Sequence, residues 1–203
     1  MRSLIASTFM TLDGVMQAPG GPGEDDDGGF THGGWSVNYW DEHVVRFMDE
    51  TMSEPFDLVL GRRTYDLFAG YWPNASEDEG AKPLNEAVKY VASRGRPDLE
   101  WHNSVLIEGD VAEAVAALKR EDGPELQVHG SANLMRTLLR HNLIDRFRLL
   151  IFPVVVGTGK RLFEEGTIPA GLKLLASDVS TTGVVMGTYE PVGDIVPGTF
   201  ARD

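Results

Sequence analysis

Short apolar runs alternate with segments of helical period as far as residue 150, and no other feature restricts the fold of this chain as much. Leu4–Phe9 reads as a first strand, followed by a long Gly/Pro/acidic loop, Asp13–Gly34. A loop of that length inside a compact domain is usually functional or mobile. Asp41 can cap a helix running to about Met52, with Val44, Val45, Phe47, Met48 and Met52 on its apolar side. Phe56–Leu60, between Pro55 and Gly61, reads as a buried strand, and a helix from Arg62 to Ala69 follows, ended by Gly70. Residues 73–87 are polar and carry Pro73 and Pro83, which predicts a loop with one helical turn. Strands are expected at Lys89–Ala92, Ser104–Ile107 and Leu126–His129, with helices at Val111–Lys119 and Ala132–Arg140. A long strand, Arg146–Val156, is interrupted by Pro153, which favours an edge or a bulge. Leu172–Ser177 and Gly183–Tyr189 then look like a final antiparallel pair. This order predicts one α/β domain over residues 1–203, mostly parallel, with an antiparallel C-terminal end and a loose tail at 192–203.

Composition removes several function classes. Lys and Arg number 18 against 31 Asp and Glu, a formal net charge of −13. A nucleic-acid binder or an electrostatic membrane anchor needs a basic face. With no cysteine there is no disulfide framework, zinc ribbon or thiol nucleophile. Met1–Thr8 lacks the apolar run of a signal peptide, and no stretch approaches the roughly 20 apolar residues of a membrane span. A cytoplasmic protein is the expectation, which leaves the Asn74-Ala75-Ser76 sequon idle.

Chemistry is suggested at three strand ends. Leu60-Gly61-Arg62-Arg63-Thr64-Tyr65 joins a buried strand directly to a helix. The free N–H groups and positive dipole end of such a helix suit an anion, and Gly61 allows close approach. A solvated helix start with ordinary surface arginines is the plainer alternative. Ser93 and Arg94, after the next strand, could hold a phosphate or form an ordinary turn. Val128-His129-Gly130-Ser131-Ala132-Asn133-Leu134 is a second small-residue cradle, without the three-glycine spacing of the dinucleotide fingerprint. Three such sites in one small domain suit a ligand with several phosphates. Other motifs fail. Gly157-Thr158-Gly159-Lys160-Arg161 lacks the first Gly and final Ser/Thr of a P-loop. Glu24-Asp25-Asp26-Asp27-Gly28 lacks the alternation of a calcium loop. The five histidines show no metal-binding pairing, and no G-x-S-x-G elbow is present, so no metal or hydrolase is expected.

Together these residues resemble the dihydrofolate reductase-like superfamily, in particular the branch of the C-terminal reductase domain of the riboflavin-biosynthesis deaminase/reductase. Thr11-Leu12-Asp13-Gly14, Leu60–Tyr65, Val91–Arg94 and the long run from His129 through Leu143-Ile144-Asp145 to Phe152–Phe163 carry the likeness, over roughly residues 2–190. The resemblance implies a three-layer α/β/α sandwich around a central mixed sheet, with NADPH laid across the strand ends. It assigns Gly61, Arg62, Arg63 and Thr64 to the cofactor phosphates, Ser93 and Arg94 to the 2′-phosphate, and Gly130, Ser131, Ala132 and Leu134 to the pyrophosphate turn. Ser131 stands where the family usually has a second glycine, and Asp145-Arg146 where it has Asp-Glu. The family's dihydrofolate reductases carry a pterin-binding acid on the first helix; the match places His43 near it, with Asp41 and Glu42 just before. The riboflavin reductases want cations for a ribosyl phosphate, and residues 13–43 contain no Lys or Arg.

Trp35, Trp40, Tyr65 and Phe68 could stack a flat heterocycle or simply cover the core. Asp13 could orient a proton donor or cap its turn, and His43 could donate a proton. The expected function is therefore an NADPH-dependent reductase of a small pterin- or pyrimidine-like heterocycle. The alternatives are the riboflavin-pathway reductase of a phosphoribosylamino-uracil and a non-catalytic nucleotide-binding protein on the same fold. The resemblance also implies a homodimer, with Leu149–Val156 either at its seam or in the core.

Overall fold

The computed structural model describes residues 1–76 and 80–200. Eight strands form one sheet: β1 Leu4–Thr11, β2 Phe56–Gly61, β3 Lys89–Ala92, β4 Ser104–Leu106, β5 Glu125–Val128, β6 Arg146–Phe152, β7 Gly171–Val179 and β8 Val185–Gly193. Their order across the sheet is β4-β3-β2-β5-β1-β6-β8-β7. The six strands from β4 to β6 run parallel, and β8 and β7 are added antiparallel. Among the described residues five α-helices accompany them: α1 Glu42–Thr51, α2 Arg62–Tyr71, α3 Ala81–Glu86, α4 Val111–Arg120 and α5 Ala132–Arg140.

Strand alternation distributes the core between two faces. Leu4, Ala6, Val59, Leu126, Phe147 and Leu149 pack with Val115 of α4 and Met135 and Leu138 of α5. On the other side Leu150, Phe152 and Met186 pack with Val44 of α1, while Phe56, Leu58 and Leu60 pack with Tyr65 of α2 and Leu84 of α3. The result is the expected three-layer α/β/α sandwich. Leu149, Leu150 and Phe152 are all under 5% exposed, so the first part of the Leu149–Val156 run is core rather than a seam. Among the described residues no helix is long and apolar enough to cross a membrane.

The boundaries differ from expectation where backbone hydrogen bonding overrides side-chain pattern. The strand expected over Arg146–Val156 stops at Phe152, because Pro153 has no N–H and Val154 N turns back to Phe152 O at 2.7 Å. β1 gains two residues, since Thr11 still pairs with Phe152 of β6. α2 runs through Gly70 to Tyr71 and gives way to a 3₁₀ turn at Trp72–Asn74. The segment read as a loop with one helical turn contains that 3₁₀ turn and α3, with 77–79 outside the described residues. Both strands of the final pair are longer than expected, β7 extended at both ends and β8 shifted toward the C-terminus, with Gly183 at φ +89° in the turn between them. Val192 and Gly193 belong to β8 rather than to a loose tail; 194–200 carry no regular element, and 201–203 lie outside the described residues.

The Asp13–Gly34 loop is tied down by its own side chains. Gln17 Nε2 donates to Asp25 O at 2.9 Å and Asp27 O at 3.0 Å, Trp35 Nε1 donates to Gln17 O at 2.8 Å, and Phe30 is buried.

Candidate active site

A cavity of about 680 Å³ lies beside β1 and the carboxyl ends of β2 and β5, within the size range of small-molecule sites. β1 contributes Ser7, Thr8 and Phe9 to its wall. α1 presents Val45, Met48 and Asp49, Met52 follows at its C-terminal cap, and α2 presents Arg63, Thr64, Leu67, Phe68 and Tyr71. The turn His129–Ala132 and the 16–25 segment close the remainder, and Lys160 reaches in from the loop after β6.

Two helices begin at this cavity, α2 after Gly61 and α5 after Ser131, and neither has a side-chain N-cap. Their first-turn N–H groups and dipole ends suit an anion. The two turns are pressed together. Gly61 N donates to Gly130 O at 3.2 Å, and a Cβ on Gly61 would lie 2.2 Å from Ser131 Oγ. Gly130 has φ +152°, and a Cβ there would lie 2.9 Å from Thr64 Oγ1. Glycine is what permits both the approach and the backbone angle.

Charge is concentrated on one side. Arg63 Nη1 lies 2.9 Å from Asp25 Oδ1 and 3.2 Å from Asp27 Oδ2, and Lys160 Nζ bonds the same two carboxylates at 2.6 and 2.7 Å. Glu24 accepts from Gly20 N and Gly21 N, but burial outweighs those bonds and raises its pKa. His129 Nε2 lies 3.0 Å from Gln127 Oε1; burial, reinforced by Arg148, lowers its pKa to about 4, so the ring is neutral at pH 7. The other side is apolar. Phe9 meets Trp40 edge-on with ring centroids 5.7 Å apart, and Phe68 meets Trp72 in the same way at 6.1 Å. The arrangement can therefore take an anionic group at one end and a flat apolar ring at the other. Among the described residues no cluster suited to a metal ion is found.

The model of the RibD C-terminal domain family matches residues 2–186. The chain belongs to this family. The uncharacterized protein YyaP of Bacillus subtilis (strain 168) is 31% identical over 193 residues, covering 93% of this chain and 94% of the relative. A candidate riboflavin biosynthesis protein from Shewanella sp. PV-4 superposes with TM-score 0.66 at 22% identity, covering 93% of this chain and 98% of that one. A dihydrofolate reductase from Enterococcus faecalis complexed with NADP(H) superposes with TM-score 0.57 at 17% identity, covering 94% and 96%. At those identities the two structures speak for the shared dihydrofolate reductase-like fold.

In this RibD C-terminal domain, Arg63, Thr64, Gly130, Ser131 and Ala132 line the cavity. Gly61 sits directly behind Ser131. Arg62 turns aside to Asp66, with Nε 2.6 Å from Oδ1. Ser93 and Arg94 follow β3, whose Ala92 pairs with Gly61, so they flank the start of α2. Leu134 is not at the cavity: it lies on the face of α5 that packs on the sheet and is 5% exposed. Of the four aromatics, Trp40 and Phe68 line the cavity and Trp35 and Tyr65 do not. Trp35 packs edge-on against Phe152 at 5.4 Å, and the Tyr65 hydroxyl accepts from Trp101 N at 3.0 Å; both are core.

Neither Asp13 nor His43 lines the cavity. Asp13 caps its turn, accepting from Thr11 Oγ1 at 2.6 Å and Gly157 N at 2.9 Å. Burial works against its charge, yet these bonds hold its pKa below the usual value. His43 lies two residues before Val45, about 200° around α1 at 100° per residue, and its Nδ1 lies 3.5 Å from Asp178 Oδ2. Asp49 and Lys160 are among the cavity residues that the sequence did not single out. Asp49 is the acid that α1 turns to the cavity; its spacing of four from Val45 and one from Met48 was the available signal. Lys160 belongs to the segment rejected as a P-loop, and only the fold carries it to Asp25 and Asp27.

Proposed function

We propose that this protein is an NADPH-dependent reductase of a small, flat heterocycle of the pterin or pyrimidine kind. The observation that carries the reading is the pair of glycine-tight turns, Gly61–Thr64 and Gly130–Ala132, placed at one cavity with an aromatic and methionine-lined half. Family membership and a fold neighbour complexed with NADP(H) support it. The helix starts of α2 and α5 would hold the pyrophosphate, and Arg62, Ser93 and Arg94 the 2′-phosphate. Bound there, the dinucleotide supplies the hydride. The chain itself binds, aligns and desolvates. Phe9, Trp40 and Phe68 offer ring faces and edges and exclude water. The Asp49 carboxylate can accept from N–H groups of the heterocycle, and Glu24, with its raised pKa, can hold a proton at the cavity wall. A ribosyl phosphate is less well served, because residues 13–43 contain no Lys or Arg. The same reading places the enzyme in the cytoplasm.

Calorimetric titration with NADPH and, separately, NADH tests this. Low-micromolar binding of NADPH is expected, with weaker binding of NADH. Arg62→Ala combined with Arg94→Ala should weaken NADPH by roughly tenfold or more while leaving NADH nearly unchanged. Equal losses remove the 2′-phosphate assignment, and binding of neither removes the reading.

We also propose a homodimer. β7 is the outer strand, and Leu172, Leu174, Leu175 and Val179 on it, with Val185 on β8, are each more than two-fifths exposed. An open apolar edge invites another strand, and a second copy presents the same edge, as a two-fold interface requires. Leu174→Lys should convert the sedimenting dimer to monomer; a monomeric wild type at micromolar concentration refutes it.

A further inference from the structure

The two cations of the cavity come from distant parts of the chain. Arg63 is in the first turn of α2, and Lys160 lies in the loop after β6. They converge on two carboxylates, Asp25 and Asp27, through four N···O contacts between 2.6 and 3.2 Å. Both acids belong to the Asp13–Gly34 loop. Asp25 is the inner one, its side chain 14% exposed, and Asp27 the outer, 62% exposed. The loop is shaped to deliver them: Gln17 Nε2 clasps the carbonyls of Asp25 and Asp27, and Gln17 Oε1 accepts from Lys160 N at 3.0 Å. Gly28 and Gly29, at φ +69° and +74°, turn the chain away directly afterwards.

Two cations aimed at one point on a cavity wall are an anion site. Here the anion is the protein's own. We propose that Arg63 and Lys160 form a phosphoryl-binding subsite of the cavity, and that Asp25 and Asp27 are its built-in occupant, which a phosphate or pyrophosphate group must displace to bind. The subsite's use by a dinucleotide rests on the reading above; the subsite and its occupant do not. A tethered competitor acts at an effective concentration on the order of millimolar. A ligand phosphate therefore binds with its intrinsic affinity reduced by the fraction of time the loop is open. Lys160 becomes a ligand-binding residue only when the loop leaves it, and the loop's acidity sets how readily that happens.

The test uses inorganic pyrophosphate as probe, titrated calorimetrically into the wild type, Asp27→Asn, Asp25→Asn/Asp27→Asn, and the latter with Lys160→Gln added. Asp26→Asn controls for bulk charge, since that neighbouring carboxylate bonds neither cation. Pyrophosphate should bind the double variant at least tenfold more tightly than the wild type, and Asp27→Asn about threefold more tightly. Asp26→Asn should change little, and Lys160→Gln should cancel the gain. Hydrogen exchange over residues 20–29 should quicken in the double variant, which checks that the loop has been released in a folded protein. No gain in the double variant, an equal gain in Asp26→Asn, or a gain that survives Lys160→Gln overturns the proposal. Tighter pyrophosphate binding with NADPH bound by none of the variants upholds the subsite and removes the dinucleotide reading instead.

Discussion

Replacing Gly61 with alanine probes the contact on which the site is built. Gly61 has φ −68° and ψ 150°, angles that alanine adopts freely, so backbone strain does not enter. The whole effect comes from the space its Cβ would need. That carbon would lie 2.2 Å from Ser131 Oγ, 3.0 Å from Ser131 Cβ and 3.1 Å from Ser131 N. The hydroxyl can rotate away, but Cβ and N cannot move without displacing the turn that leads into α5. Overpacking of this kind costs about 1–3 kcal/mol, offset by about 0.4–1 kcal/mol from the stiffer unfolded chain. A net loss of about 1–2 kcal/mol is expected, read as a fall in the urea midpoint with unchanged slope. Ser131→Gly alone should cost only a few tenths of a kcal/mol, as glycine is tolerated at an N-cap. In the double variant two of the three contacts vanish, so a coupling of about 1 kcal/mol is expected between the two changes. A Gly61→Ala protein within about 0.5 kcal/mol of wild type, or strict additivity with Ser131→Gly, would refute the argument that these turns touch.

Two further predictions concern buried charge. Arg2 bonds both Asp57 and Pro124 O, and Asp57 also accepts from Val88 N at 3.0 Å; the ion pair is nearly inaccessible. Asp57→Ala should cost about 3 kcal/mol, because it strands the guanidinium inside the protein, and a loss below about 1 kcal/mol in urea denaturation would show that water reaches the pair. His129 has a folded pKa of about 4, lowered by burial and by Arg148 from an ordinary 6.5. The unfolded chain therefore binds the extra proton between pH 6.5 and 4, so stability falls as pH drops through that window and is fully present above it. The fall should be about 2 kcal/mol, discounted because the ring borders an open cavity. His129→Gln should flatten that part of the urea-midpoint profile, and an unaltered slope would assign it to the carboxylates.

The order of strands and helices was legible in the sequence because it rests on local periodicity. Phe56, Leu58, Val59 and Leu60 between Pro55 and Gly61, or Val111, Ala114, Val115 and Leu118 at helical spacing, announce β2 and α4 without any knowledge of their neighbours. The cradle residues Thr64, Gly130 and Ser131 were legible for a related reason. A strand passing directly into a helix through small residues leaves N–H groups free wherever it occurs. Aromatic and titratable side chains gave a weaker signal. Trp35 and Trp40 look equivalent on the page, yet one is packed against Phe152 and the other borders the cavity. Asp13 and His43 stood at plausible places, and a hydrogen bond to Gly157 and a rotation of about 200° around α1 took them elsewhere. Lys160 met Asp25 and Asp27 across more than 130 residues of chain. What the sequence determined alone was the order of strands and helices and which strand ends pass into a helix through small residues, since each of these is decided within a few residues. Which side chains share the cavity, and that its cations are held by the protein's own carboxylates, was decided only by the tertiary structure, because burial and ion pairing depend on neighbours that chain order does not specify.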